Sequence, residues 1–223
     1  MIPIRDKNPT RRFPIINVTI MALNLIAFAY EISLGSSLEL LLFRFGVVPT
    51  QMLKAVQGTA QITLPLLSLF TSLFLHGGWL HLLGNMIYLW VFGDNVEDKL
   101  GRVRYLFFYL LCGAAASALH IYVAPTSGMP TIGASGAISG VLGAYLLLFP
   151  RARVVTLIPI FFFLQVAELP ALVVLGLWFV MQFFNGIASL GSVTTRMGGI
   201  AWWAHIGGFL AGCLLVFPLR KYR

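Results

Sequence analysis

Charge is what this chain has least of: only 10% of its 223 residues are charged, and seven are acidic. A soluble domain carries about a quarter charged residues. Here 59% hydrophobic content and a mean hydropathy of +0.90 leave more apolar surface than one water-soluble core can hide. An ordinary soluble protein is excluded. Cysteine is nearly absent as well. Cys112 and Cys213 both lie in apolar stretches, which suits buried thiols and supplies neither a disulfide framework nor a metal cluster. With no phosphate-loop glycine pattern either, no cofactor and no metal are expected. The net charge of +8 raises the question of nucleic acid, but the 15 Lys and Arg stand in small groups between apolar runs, so none is expected as a partner.

What the chain does have is apolar runs, each to be set against the roughly 20 residues a membrane span needs, or fewer inside a bundle. Six runs qualify, at residues 14–34, 75–92, 105–123, 135–149, 171–187 and 200–219. The fourth is short, beginning at Ser135 and stopping before Pro150. The first is interrupted by Asn17, Asn24 and Glu31 and lacks a small-residue cleavage site, so it reads as an uncleaved span. Residues 154–166 are apolar but contain Pro159 and are followed by Glu168 and Pro170, which reads as an interfacial segment. The expected fold is an all-α membrane protein: a polytopic bundle of six transmembrane helices over residues 14–219, between tails 1–13 and 220–223.

Six spans put Arg5, Lys7, Arg11, Arg12, Lys99, Arg102, Arg104, Arg151, Arg153, Arg220, Lys221 and Arg223 on one side, leaving Arg44, Lys54 and Arg196 opposite. By the positive-inside rule both termini are then expected in the cytoplasm. Depth follows from the helical rise. At about 1.5 Å per residue, Ser135 stands about 24 Å from Arg151, His205 about 22 Å from Arg220, and His81 and Asn85 about 24 and 18 Å from Glu97. Four polar side chains share one layer in the outer half of the bilayer.

Polar groups at that depth are costly unless paired or facing water, and by default they mark function. They also serve as hydrogen-bonding glue between helices, which is the plain reading of any one alone. Together their chemistry is complementary. A serine hydroxyl becomes a nucleophile when a histidine takes its proton, and the resulting oxyanion needs preorganised donors. Ser135 and His205 supply the pair; the Asn85 amide, a His81 nitrogen (four residues earlier on the same helix face) and the Ser135 backbone N–H supply the donors. Of the acids Asp6, Glu31, Glu39, Asp94, Glu97, Asp98 and Glu168, only Glu39 is expected to reach this layer, so a two-residue catalyst follows. Glu31 is expected either to snorkel to the outer interface or to pair with a polar neighbour. The pairs Gly136/Gly140 and Gly208/Gly212 have the small-residue spacing that lets two helices pack closely.

Three motifs in this order resemble the rhomboid intramembrane serine proteases: His76 with His81 and Asn85; Gly133-Ala134-Ser135-Gly136 opening a short helix; and Ala204-His205 followed by Gly208 and Gly212. The resemblance covers roughly residues 10 to 220. It implies a serine endopeptidase in which Ser135 attacks the peptide bond, His205 is its base, and His81 and Asn85 belong to the oxyanion site. His76 takes a structural or lining role, and Gly93-Asp94-Asn95-Val96-Glu97 serves in helix capping. Two departures stand out. The Trp-Arg pair that many rhomboids carry in the first loop is missing from residues 65–73, and Ser139 stands where some members place an aromatic under the histidine. Either another group holds His205, or Ser139 contributes a hydrogen bond.

The resemblance implies single-span transmembrane proteins as substrates, cut in or beside the transmembrane helix, with membrane lipid as the surroundings. The fifth span and residues 186–199 are expected to act as gate and cap. A non-proteolytic rhomboid-like binder of membrane clients is the first alternative, opposed by the presence of both Ser135 and His205. A small transporter is the second, opposed by the lack of an inverted repeat or an acidic relay. The compact form suggests a prokaryotic cytoplasmic membrane. Oligomeric state leaves no mark in the sequence.

Overall fold

A computed structural model describes residues 1–160, 163–190 and 200–220. The first strand, β1 (Ile2–Asp6), leads into α1 (Ile15–Ser33). Three short helices follow, α2 (Leu38–Phe45), α3 (Pro49–Val56) and α4 (Thr63–Thr71), then α5 (Trp79–Leu100), α6 (Arg102–Val123) and α7 (Ser135–Leu148). The strands β2 (Arg153–Ile160) and β3 (Phe163–Pro170) precede α8 (Ala171–Ser189) and α9 (Trp202–Leu219). Helices thus occupy all six apolar runs. Among the described residues four of them, α1, α6, α8 and α9, are long and apolar enough to cross a membrane. A fifth span exists if Thr63–Phe74 and Trp79–Leu100, bent by 79° at their junction, count as one.

Local chemistry sets these boundaries. Gly101 adopts φ +81°, which ends α5 and immediately starts α6, a reversal that side-chain-bearing residues resist. Pro49 opens α3, and Pro170 precedes α8, where a missing N–H is harmless. The second apolar run becomes helical only at Trp79, because residues 75–78 turn through extended Leu75 and the positive-φ Gly78. The start of α1 has no side-chain cap of its own; Glu97 of α5 fills that role, accepting the backbone N–H groups of Ile16 (3.2 Å) and Asn17 (2.7 Å).

The core is built around α7. Every residue from Gly136 to Tyr145 is buried, so this 14-residue helix is apolar on all sides and is walled by α5, α6 and α9 rather than facing lipid. Glycine allows α9 to lie directly on it. A Cβ on Gly208 would fall on the Gly136 carbonyl, and one on Gly212 on the Gly140 carbonyl. The glycine pairs read from the sequence do meet.

The mostly helical fold carries one addition. Residues 154–166, expected as an interfacial apolar segment, belong to an antiparallel hairpin, and Ile2–Asp6, expected as part of a tail, pairs with its first strand to give the sheet order β1-β2-β3. The β-branched run of β2 buries Val154, Val155 and Thr156, whereas Phe163, Leu164 and Val166 toward the tip of the hairpin are exposed, so the base of the segment joins the core and its tip presents an apolar surface. On the outer face Lys7 and Glu168 form an exposed ion pair at 2.6 Å, an interaction that solvent screens. Inside, Asp6 accepts hydrogen bonds from Tyr145 Oη of α7 and from Asn95 Nδ2 of α5. The strand therefore locks onto the basic end of the bundle.

Candidate active site

Ser135 is the first residue of α7. Gly133, at φ +115°, bends the chain into the helix, and Ala134 provides no side-chain cap, so the N–H groups of the first turn remain free of side-chain partners and point into the space before the helix. The partial positive charge of a helix N-terminus gathers there. His205 lies in the first turn of α9, one turn before the Gly208 contact with α7. The close glycine packing sets Ser135 Oγ 2.9 Å from His205 Nε2, a hydrogen bond between residues 70 apart in sequence.

The two other expected residues come from α5. A cavity of about 1430 Å3 is lined by Ser135, His205, His81 and Asn85 together, with the irregular segment 124–133 forming part of its wall. The four side chains placed in one layer by helical rise share one cavity. His81 and Asn85 face Gly133: a Cβ there would stand 2.5 Å from His81 Nε2 and 3.7 Å from Asn85 Nδ2, so only glycine leaves this corner open. Ser117 and His120 of α6 line the same cavity.

The supports of this layer were partly missed by the sequence reading. Asn85 Nδ2 lies 2.9 Å from His76 Nε2, which fixes the amide plane and leaves its second hydrogen for another acceptor. His76, only 1% exposed, is held in turn by Glu31, whose two carboxylate oxygens receive the His76 backbone N–H at 3.2 and 3.1 Å. Glu31 therefore pairs with a polar neighbour and does not snorkel. It also corrects the expectation that only Glu39 among the acids could reach this layer, because the bent segment 75–78 dips back to meet it.

The other unexpected support is Gln182 of α8. Its Oε1 lies 2.8 Å from His205 Nδ1, while Ser139 Oγ donates to the backbone carbonyl of its own helix at Ser135 (2.6 Å). Of the two options left open by the missing aromatic, another residue holds His205 and Ser139 does not. Trp178, one turn before Gln182, adds a tilted ring 6.0 Å from the imidazole. A signal for Gln182 existed: it is a polar residue inside an apolar run, about 16 Å along the helical rise from the start of α8 at Ala171 and so near the depth of Asn85. As for the expected cap, Gly186–Ser189 lie within α8 and residues 191–199 fall outside the described residues.

Such an arrangement can activate a hydroxyl and receive an oxyanion. Comparison with known proteins agrees in kind. A family model for the Rhomboid domain matches residues 64–222. Rhomboid protein 1, mitochondrial, of Saccharomyces cerevisiae is 30% identical over 160 residues, 70% of this chain and 42% of that protein. Presenilin-associated rhomboid-like protein A, mitochondrial, of Danio rerio is 34% identical over 131 residues, 56% of this chain and 34% of its own length. Rhomboid protease GluP of Bacillus subtilis is 42% identical over 78 residues, 35% of this chain and 15% of that protein. The chain thus spans less than half the length of these relatives. They also correct the expectation of a prokaryotic cytoplasmic membrane with both termini in the cytoplasm: the yeast and zebrafish relatives are mitochondrial proteins.

Proposed function

The chain belongs to the rhomboid family, and from that premise we propose that it is an intramembrane serine endopeptidase acting on transmembrane proteins in an organellar membrane. The observation that carries the reading is the 2.9 Å contact between Ser135 Oγ and His205 Nε2 beside the uncapped start of α7. Ser135 is the nucleophile. His205 Nε2 takes its proton as Oγ bonds to the scissile carbonyl carbon, and the carbonyl oxygen becomes an oxyanion bound by the Ser135 N–H, the free Asn85 amide hydrogen and His81. Collapse expels the amine, which receives the proton from His205. Water, deprotonated by the same nitrogen, then releases the acid and restores Ser135.

The six helices α1 and α5 to α9 all cross the membrane in this reading, and residues 14–219 form the catalytic unit with both termini on the side rich in Lys and Arg. Helix α7 is the short fourth span; being enclosed, it need not match the bilayer, and the space before Ser135 admits water. Substrates are single-span proteins with lipid around them. A substrate helix hides its carbonyls in its own hydrogen bonds, so the preferred cut lies where Gly or Pro weakens the helix. Helix α8 is the gate.

The test is cleavage of a single-span substrate by purified full-length protein in detergent and in lipid, against Ser135→Ala and His205→Ala. Each substitution should lower the rate by at least about 10³-fold while the melting temperature holds. Failure of the wild type to cut several substrates, with stable binding of the same proteins, would favour a non-proteolytic binder.

A further inference from the structure

A histidine base works only if the nitrogen facing its nucleophile carries no proton, and that choice is made at the other end of the ring. At His205 the other end meets Gln182 Oε1 at 2.8 Å. The orientation of this amide follows from its own second contact. Gln182 Nε2 lies 3.3 Å from the carbonyl oxygen of Trp178, which is an acceptor only, so the NH2 group faces Trp178 and the amide oxygen faces His205. Flipping the amide would set two oxygens against each other. An amide oxygen cannot donate, so Nδ1 of His205 carries the hydrogen and the neutral ring presents a bare Nε2 to Ser135 Oγ.

We propose that Gln182 is a positioning residue: its carbonyl oxygen fixes the tautomer and plane of His205, and because it is borne by α8, the Ser135–His205 pair is set for reaction only while α8 is seated on α9. The proposal rests on the protease reading for its rate effects. Gln182 is buried, in contrast with Met181 and Phe183 on either side, which face outward. Around it α8 touches α9 through Phe179 stacked on Phe209 at 4.5 Å and through the Trp203 Nε1 hydrogen bond to the Gly186 carbonyl at 3.1 Å. A hydrogen bond spanning two helices is lost when they part by about 1 Å, so a displaced α8 releases the imidazole. The choice of an amide over a carboxylate suits this depth, since it orients the ring without burying a full charge in the membrane.

Three variants of the full chain test this. Gln182→Leu keeps the volume and removes the acceptor; kcat should fall roughly 10- to 100-fold with KM within about twofold. Gln182→Glu keeps an acceptor for Nδ1–H and should recover most of the lost kcat. A purely structural role predicts the reverse order, because leucine packs well there and an acid does not. Gln182→Asn, one methylene shorter, should resemble leucine. Independently of cleavage, 15N NMR of labelled histidine in the inactive Ser135→Ala background should show His205 protonated on Nδ1, with the two tautomers mixed when Gln182→Leu is added. Unchanged kcat and tautomer in Gln182→Leu, or Gln182→Glu no better than leucine, overturns the proposal. If the wild type cuts nothing while the tautomer still depends on Gln182, the positioning role stands and the protease reading fails.

Discussion

A single methyl group that touches neither Ser135 nor His205 should disable this site. Gly208 of α9 lies against α7 so closely that a Cβ there would overlap the Gly136 carbonyl oxygen and stand 2.9 Å from its carbonyl carbon, against an ordinary contact of 3.4–4 Å. Neither partner is a side chain that can rotate away. In Gly208→Ala the carbon must therefore retreat by about 0.5 Å and the oxygen by more, so that α7 and α9 separate by about 1 Å. Gly136 adjoins Ser135, and Gly208 is one turn from His205. Their 2.9 Å hydrogen bond then opens to about 3.9 Å, outside hydrogen-bonding range. Overpacking of this kind costs about 1–3 kcal/mol of stability, and a misplacement of about 1 Å at reacting atoms costs on the order of 10² in rate. The assay is kcat on a transmembrane substrate per mole of folded protein, alongside thermal melting in detergent. Gly176→Ala on α8, where a Cβ meets nothing within 4 Å, is the control and should leave both unchanged or slightly raise stability. Gly212→Ala, a turn farther from the site, should cost similar stability and less activity. A Gly208→Ala protein with wild-type kcat would refute the claim that the glycine contact sets the Ser135–His205 distance.

Two further outcomes follow from the same geometry. Asn85→Ala removes a donor without touching the nucleophile or base, so kcat should fall on the order of 10²- to 10³-fold with KM little changed; a parallel rise in KM would mean that Asn85 binds the ground state instead. On the basic side, burial raises the Asp6 carboxyl from 3.8 to about 6, against an opposing hydrogen bond from Tyr145. A raised acid favours the folded state while protonated, so its contribution to docking of β1 is full below about pH 4 and is lost as pH rises through about 6. Hydrogen exchange of Ile2–Asp6 should therefore quicken across that window beyond the intrinsic pH effect. Asp6→Asn, neutral at every pH, should abolish the extra slope, and an identical slope in both proteins would count against the assignment.

The depth argument grouped Ser135, His205, His81 and Asn85 because helical rise is local: counting residues from the charged end of a run ranks a side chain along its helix whatever the helix packs against. All four do line one cavity. The same count reaches Gln182, but it stands in an apolar run between the exposed Met181 and Phe183, and nothing near it in sequence says which face turns inward. Which of its two expected placements Glu31 takes was hidden for a different reason. Its own helix ends near the outer interface, and its partner is a backbone N–H at His76 that becomes reachable only because residues 75–78 turn back toward α1. The sheet was illegible from both ends, since Ile2–Asp6 is too short to declare itself and its partner lies more than 140 residues away.

Composition alone placed this chain in a membrane, since apolar surface on that scale has no other stable solvent, and the scatter of Lys and Arg ordered its runs about two faces. Residue chemistry alone proposed a serine and a histidine as reacting partners. Tertiary structure decided how they are held: the glycine contact that sets α7 on α9, the amide that chooses the proton on His205, and the buried acid behind His76. Those are contacts between segments distant in sequence. They depend on which face each helix turns inward, and that is settled only when all the helices pack at once.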